Sequence, residues 1–270
     1  MLNVYIKKDN IKMNRFLTIL TFLTLCFTRI SADDLKPVSL VDETLTYDVI
    51  YKWGLINKVA GHASMTLRND GDLYQAAVYA RNASWANSIY PLRDTLYTTM
   101  TKVGLYPVKY TYIAHENGKY KKQIVDFTRI GNTFIGDCTR YRQDKAGAPI
   151  EKSTLRLEGQ GMTVDLLSSF FYLRSLDFQT MKSGQTITVN IFSGSKKEKL
   201  TITYNGIKKI KLNGRQFETY YINFSFTRHG KESSAPMSGW ISTDTQRIPL
   251  KVEGSLAVGK VRAVYTGPHP

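Results

Sequence analysis

The side chains that could carry chemistry are few and scattered. His62, His115 and His229 are the histidines away from the chain ends, and none has a second His, Cys or carboxylate at the spacing a zinc site needs. They are expected as surface or rim residues, and neither a metal nor another cofactor is implied. Cys138 stands alone once Cys26, in the apolar N-terminal segment, is set aside, so neither an internal disulfide nor a paired nucleophile is expected. The sequence contains no Gly-x-Ser-x-Gly elbow, no complete Gly-x-x-x-x-Gly-Lys-Ser/Thr phosphate loop and no His-Glu-x-x-His helix. Asp48, Asp94, Asp126 and Asp137 would make a glycosidase pair only if the fold brought two of them within about 5–10 Å. The expectation is a protein without catalytic residues.

Charges set among apolar neighbours are more informative. Arg93-Asp94 follows Tyr90-Pro91-Leu92, Arg174 follows Phe171-Tyr172-Leu173, and Asp244 lies just beyond Trp240-Ile241. A charge in such surroundings needs a partner, so an internal ion pair or a turn is expected at each. The alternative is a polar anchor at the mouth of a cavity. For a ligand site of that kind the candidates are Trp53, Trp85, Tyr90 and Trp240 as lining and Arg93 as anchor, because such sites combine aromatic walls with a few placed polar groups.

Strands must position these residues. From Thr44 the hydrophobic period is two, with Leu45, Tyr47, Val49, Tyr51 and Trp53 on one side. A turn over Gly54 to Lys58 and a second alternating run from Val59 to Arg68 predict a β-hairpin. Strands follow at Leu73–Arg81, Asp94–Val103, Pro107–His115, Lys119–Arg129 and Thr133–Gln143, and Asn117-Gly118 suits a type I′ turn. Further strands are predicted at Gln185–Phe192, Lys199–Tyr204, Ile207–Leu212, Gln216–Phe226, Met237–Thr243, Ile248–Glu253 and Ala257–Thr266. Ser84 to Arg93 reads as a loop or a short helical turn. Val164 to Phe178 changes to helical spacing, with Asp165 placed to favour its N-terminal end. The fold class is therefore mainly β: a strongly curved antiparallel sheet, open or closed and barrel-like, wrapped around one central helix.

The N-terminus sets the compartment. Met13-Asn14-Arg15, the apolar run Phe16 to Phe27 and Ser31-Ala32 have the layout of a signal peptide over residues 1–32, with Met13 as an alternative start. Residues 33–270 would then form a single exported β-rich domain without a transmembrane anchor. A lipoprotein reading would make Cys26 the acylated residue, but the residue before it should be small and Leu25 is not, which favours cleavage near Ala32. Removing residues 1–32 lowers the formal charge from +15 to +11, since five bases and one acid are lost. The bases gather at Lys119–Lys122, Lys196–Lys199 and Lys208–Lys211. Lysines on exposed strands discourage edge pairing, and for an exported protein the acidic partner they suit is an anionic envelope surface or lipid headgroup rather than nucleic acid.

Several segments carry a resemblance. Tyr47 to Trp53 with Ala60-Gly61, Leu92-Arg93-Asp94, Asp165-Leu166-Leu167-Ser168 to Leu173-Arg174, Trp240-Ile241-Ser242-Thr243-Asp244, Arg247-Ile248-Pro249-Leu250 and Val258-Gly259-Lys260-Val261 occur in that order. In these the chain resembles the exported bacterial proteins grouped as domain of unknown function 3108, a family to which no activity is attached. Its C-terminal third is also similar to the lipoprotein carriers that move acyl chains across the periplasm. That second likeness implies a curved sheet around a helix, an apolar cavity, and a lipid or other amphiphile bound in the periplasm or cell envelope. An adaptor with a packed interior and an envelope hydrolase are the alternatives.

Overall fold

A computed structural model describes residues 40–87, 91–232, 235–255 and 259–267. Residues 1–32 and the candidate Tyr90 lie outside that set.

The chain runs as a long meander. Strands β1 (Glu43–Trp53), β2 (Ile56–Asp70), β3 (Leu73–Asn82), β4 (Leu92–Thr101), β5 (Pro107–Glu116), β6 (Lys119–Ile130), β7 (Thr133–Gln143) and β8 (Glu151–Gln160) pair in sequence order. The second half is β9 (Thr163–Val164), β10 (Thr186–Phe192), β11 (Lys197–Leu212), β12 (Arg215–Arg228), β13 (Lys231–Glu232), β14 (Met237–Ser242), β15 (Pro249–Ser255) and β16 (Lys260–Tyr265). β16 pairs with β1 and joins the halves into one sheet, antiparallel throughout except where β9 meets β10. Gly54, Asn117-Gly118 and Asn213-Gly214 take the positive φ that tight hairpins require.

The sheet is barrel-shaped and nearly closed. Across its seam the Asn190 side chain donates to the Gln160 carbonyl at 2.8 Å, and Lys197 Nζ donates to the Glu158 carbonyl at 2.7 Å. Phe192 fills the space beside the seam. A Cβ on Gly136 would stand 2.7 Å from its ring and one on Gly159 3.3 Å, so both strands present bare backbone where the ring packs. Phe192 also stacks on Phe127, at 5.9 Å between centroids.

Core residues come from the period-two positions. Leu67, Tyr74, Ala76, Met100, Tyr110, Val125 and Cys138 of β2 to β7 share a cluster with Leu167 and Phe171. Leu45, Tyr47, Leu212, Leu250 and Tyr265 form a second cluster, and Phe170 packs against both. Those Phe and Leu residues belong to or flank α2 (Ser168–Ser175), the longer of the helices in the described residues; the other is α1 (Ser84–Asn87). Among the described residues, no helix is long and apolar enough to cross a membrane.

Three sequence expectations change. The helix is shorter than Val164–Phe178. Asp165 Oδ1 accepts the amides of Leu167 (2.7 Å) and Ser168 (2.8 Å) and starts it late, while extended Leu176 ends it early. The segments 199–204 and 207–212 are one bulged strand, β11, whose register shifts between Tyr204 and Ile207. Glu151–Gln160 is a strand that alternation did not reveal, because as a border strand most of its residues are exposed and polar.

The buried Arg174 and Arg247 and the exposed Asp244 behave as structural members. Arg174, 2 % exposed, forms an ion pair with Glu43 at the start of β1 and donates to the Gln246 carbonyl at 2.8 Å. Arg247 returns the contact by donating to the carbonyls of Arg174 and Leu176. Asp244 Oδ1 accepts the amides of Gln246 and Arg247 and so shapes the turn that carries them.

Candidate functional site

Register assembles what sequence spacing hides. Asp48 pairs with His62, His62 with Arg81, Arg81 with Arg93, Arg93 with His115, His115 with Tyr120, and Tyr120 with Gln143. Partners in register point to the same face, so these residues form a row across β1 to β7. In β4 the core-facing positions are Leu96, Thr98 and Met100, and Arg93 has the opposite parity; the row is on the outer face.

Charge along the row is uneven. At one end His62 Nδ1 lies 2.8 Å from Asp48 Oδ1. Beyond it, the exposed Arg81 and Arg93 stand side by side, with His62 and His115 as their outer neighbours in the ladder and no carboxylate opposite either arginine. Like charges directly opposite one another in a sheet are destabilising, so this pair of guanidiniums favours an anion.

The row ends in an open cleft of about 690 Å³ at the strand ends of β4 to β7. Arg93, His115, Lys119 and Tyr120 supply its polar wall, and Pro91, Leu92 and Ile150 supply apolar surface. The His115 and Tyr120 rings pack 5.1 Å apart, and Gln143 Nε2 donates to the Ala148 carbonyl at 2.6 Å, holding the β7–β8 loop close by. Cations beside apolar surface suit an anionic headgroup with a hydrocarbon tail.

On the core side of β4 the chemistry differs. Tyr112 donates its hydroxyl toward Asp94 Oδ2 (3.0 Å) and lies 3.4 Å from Glu116 Oε1, and Lys121 Nζ is 3.4 Å from Glu116 Oε2. Burial raises the Asp94 pKa; the Tyr112 hydrogen bond opposes this and Glu116 adds to it. Of the other acids considered as a catalytic pair, Asp126 and Asp137 do face each other across β6 and β7. Each is exposed and holds its own cation at 3.1 Å, Lys109 and Arg156 respectively, which makes them part of a surface charge ladder. Among the described residues, no group of three or more His, Cys, Asp or Glu is placed to hold a metal ion.

Of the sequence candidates, Arg93 lines the cleft and the described aromatic candidates do not join it. Trp53 is exposed at the end of β1. Trp85, in α1, donates its indole N–H to the Val59 carbonyl at 2.7 Å, with Lys58 Nζ 4.8 Å from its ring centre. Trp240 is half-buried on the face of β14 opposite Gly239 and Ile241, covered by Lys251 Nζ at 3.6 Å and by Tyr221 at 5.2 Å. Sequence reasoning missed Arg81, His115, Lys119 and Tyr120 as a group. The Asn117-Gly118 turn and the Lys119–Lys122 run were visible, and only strand register shows that they meet Arg93.

A nearly closed antiparallel barrel with a cationic cleft on one rim defines the class of molecule, and comparison places it further. The family model described as "Protein of unknown function (DUF3108)" matches residues 46–266, so the chain belongs to that family. No curated protein matches it. Among solved structures it is similar to a beta-barrel-like protein of domain of unknown function DUF1849 from Brucella abortus, with a TM-score of 0.54. Identity is 10 % over 84 % of this chain and 96 % of that one, a likeness of fold alone.

Proposed function

We propose that this is a non-catalytic protein of the bacterial periplasm or cell envelope that binds an anionic amphiphile, such as a lipid or acylated molecule, at the β4–β7 rim. The observation that carries the reading is the adjacency of Arg81 and Arg93 in a stretch of the row without carboxylates, opening onto a cleft that also offers Leu92, Pro91 and Ile150. Export is supported by the signal-like residues 1–32. The headgroup belongs at the rim rather than between sheet and helix, because Phe171, Met100 and Phe192 already pack the interior. In this reading α2, through Leu167 and Phe171, is an internal plug of the barrel and not the wall of a lipid cavity.

The test compares dodecyl phosphate with dodecyl maltoside, which share a chain and differ in headgroup charge, by native mass spectrometry and calorimetry on the processed protein. One dodecyl phosphate per chain is expected, with weaker binding as salt rises. Arg93→Ala should lower its affinity at least about tenfold, since hydrogen bonds to charged groups contribute about 1.5–3 kcal/mol. Equal affinity for the maltoside, or no change in both Arg93→Ala and Arg81→Ala, removes the reading.

A further inference from the structure

Three exposed large apolar side chains, Trp53, Leu55 and Ile56, fall together at the tip of the β1–β2 hairpin. Trp53 and Ile56 are register partners around the two-residue turn Gly54-Leu55. Leu55 is fully exposed, Trp53 is 55 % exposed and Ile56 44 %. Turns of this kind usually carry polar residues, and Gly54, at φ +54°, is the one conformational demand that this turn makes. Nothing in the fold requires a leucine at the apex.

A basic collar surrounds that apex. Lys52 and Lys58 flank it and are exposed, and residues 51–61 include no acid. Lys260 stands opposite Lys52 in the neighbouring strand, with Glu253 3.5 Å from its Nζ. Arg262 reaches the second residue of β2, just behind the tip, and donates to Asn57 Oδ1 at 2.6 Å. Tryptophan and aliphatic side chains at a tip, with lysines one or two residues back, match the layers of an anionic bilayer. The apolar groups enter the acyl boundary, the indole sits at headgroup depth and the ammoniums reach the phosphates.

We infer that the β1–β2 hairpin tip is a membrane-docking element that inserts Trp53, Leu55 and Ile56 into an anionic lipid surface. A second copy of this chain is a poor occupant, because the two lysine collars would face one another. Antiparallel pairing puts the end of β1 and the start of β4 on the same rim, so docking presents the Arg93 cleft to the bilayer. The inference stands on the hairpin alone and survives if the cleft binds nothing.

The experiment is co-sedimentation of the processed protein with phosphatidylcholine vesicles, with and without phosphatidylglycerol. Binding is expected only with the anionic lipid and should fall as salt rises. Leu55→Ser should weaken partitioning about tenfold, and Lys52→Ala or Lys58→Ala about fivefold each. Tryptophan emission should shift to the blue on binding in the native chain and stay unshifted in Trp53→Phe, where Trp85 and Trp240 remain as reporters. These residues are exposed, so unchanged thermal melting verifies that each variant folds. Failure of the native chain to bind anionic vesicles overturns the inference, as does Leu55→Ser binding as well as the native chain. Two further outcomes also overturn it: loss of capture by the tip variants only on protein-containing envelope fragments assigns the tip to a protein partner, and a dimer that Leu55→Ser dissolves assigns it to a second copy. An Arg93→Ala variant that keeps vesicle binding and loses dodecyl phosphate separates this element from the cleft.

Discussion

Asp165 offers a sharp test of the core. Its carboxylate is fully buried, accepts the amides of Leu167 and Ser168, and receives the Thr98 hydroxyl at 2.6 Å. Those bonds favour the ionised form, and burial outweighs them, pushing the pKa from 3.8 up to about 6. The folded protein therefore holds this proton more tightly than the unfolded chain between about pH 4 and 6, and stability falls as pH rises through that window. The contribution is fully present below the unfolded value of 3.8 and gone above about 6. Two pKa units correspond to about 3 kcal/mol. Asp165→Asn keeps an acceptor for both amides and removes the titration, so the difference between native and variant isolates this one group. Urea unfolding followed by circular dichroism should show the native protein losing about 2–3 kcal/mol relative to the variant between pH 4 and 7. Asp165→Ala should instead cost about 1–3 kcal/mol across the range, because the helix start loses its acceptor. A native-minus-Asn difference that stays constant with pH would refute the reasoning.

Other sites give independent checks. Arg174→Ala leaves Glu43 without its partner and should cost about 3–5 kcal/mol in urea unfolding, while Arg174→Met combined with Glu43→Gln should recover a large part of that loss. Gly136→Ala drives a Cβ to 2.7 Å from Phe192 and 2.9 Å from Val125, and a loss of about 1–3 kcal/mol is expected from the same measurement. Cys138 is buried and its thiol is pushed up to about 11, first by burial, so alkylation at pH 8 should be negligible in the native protein and complete in urea. Trp240→Ala should cost only about 1–2 kcal/mol of stability, the scale of its ring–ring and Lys251 contacts, rather than the larger loss of a core tryptophan.

Much of the fold was legible because one physical rule, burial of alternate side chains, governs most of the chain. Leu45 with Tyr47, and Leu200 with Ile202, announce their strands directly. The rule fails where burial does not alternate. Glu151–Gln160 buries little, so its sequence reads as polar loop. Asn205-Gly206 reads as a break and is a bulge, since a bulge and a turn call for the same residues. The helix was placed and then overextended, because Val164 and Phe178 are buried for other reasons, one in β9 and the other stacked on Tyr220 at 4.8 Å.

The site was less legible, and the reason is geometric. Arg93 was identifiable from its neighbours, but the meaning of Arg93 depends on Arg81 and His115, which lie in other strands. Shifting either pairing by one residue would send the partner to the opposite face and dissolve the row. The register that fixes it is set by the buried side, through Tyr74, Met100 and Tyr110, whose packing leaves the outer face no freedom to slide. Two arginines held side by side at a cost to the sheet are thus a consequence of core packing, and a bound anion is what would turn that cost into affinity. The same logic reaches the hairpin tip. Trp53 and Ile56 are paired by the register of β1 and β2, and the lysines behind them follow from it. Cleft and tip therefore share one rim because the meander returns every second connection there, so an anionic surface approached by the tip would meet the cleft without any change in the fold.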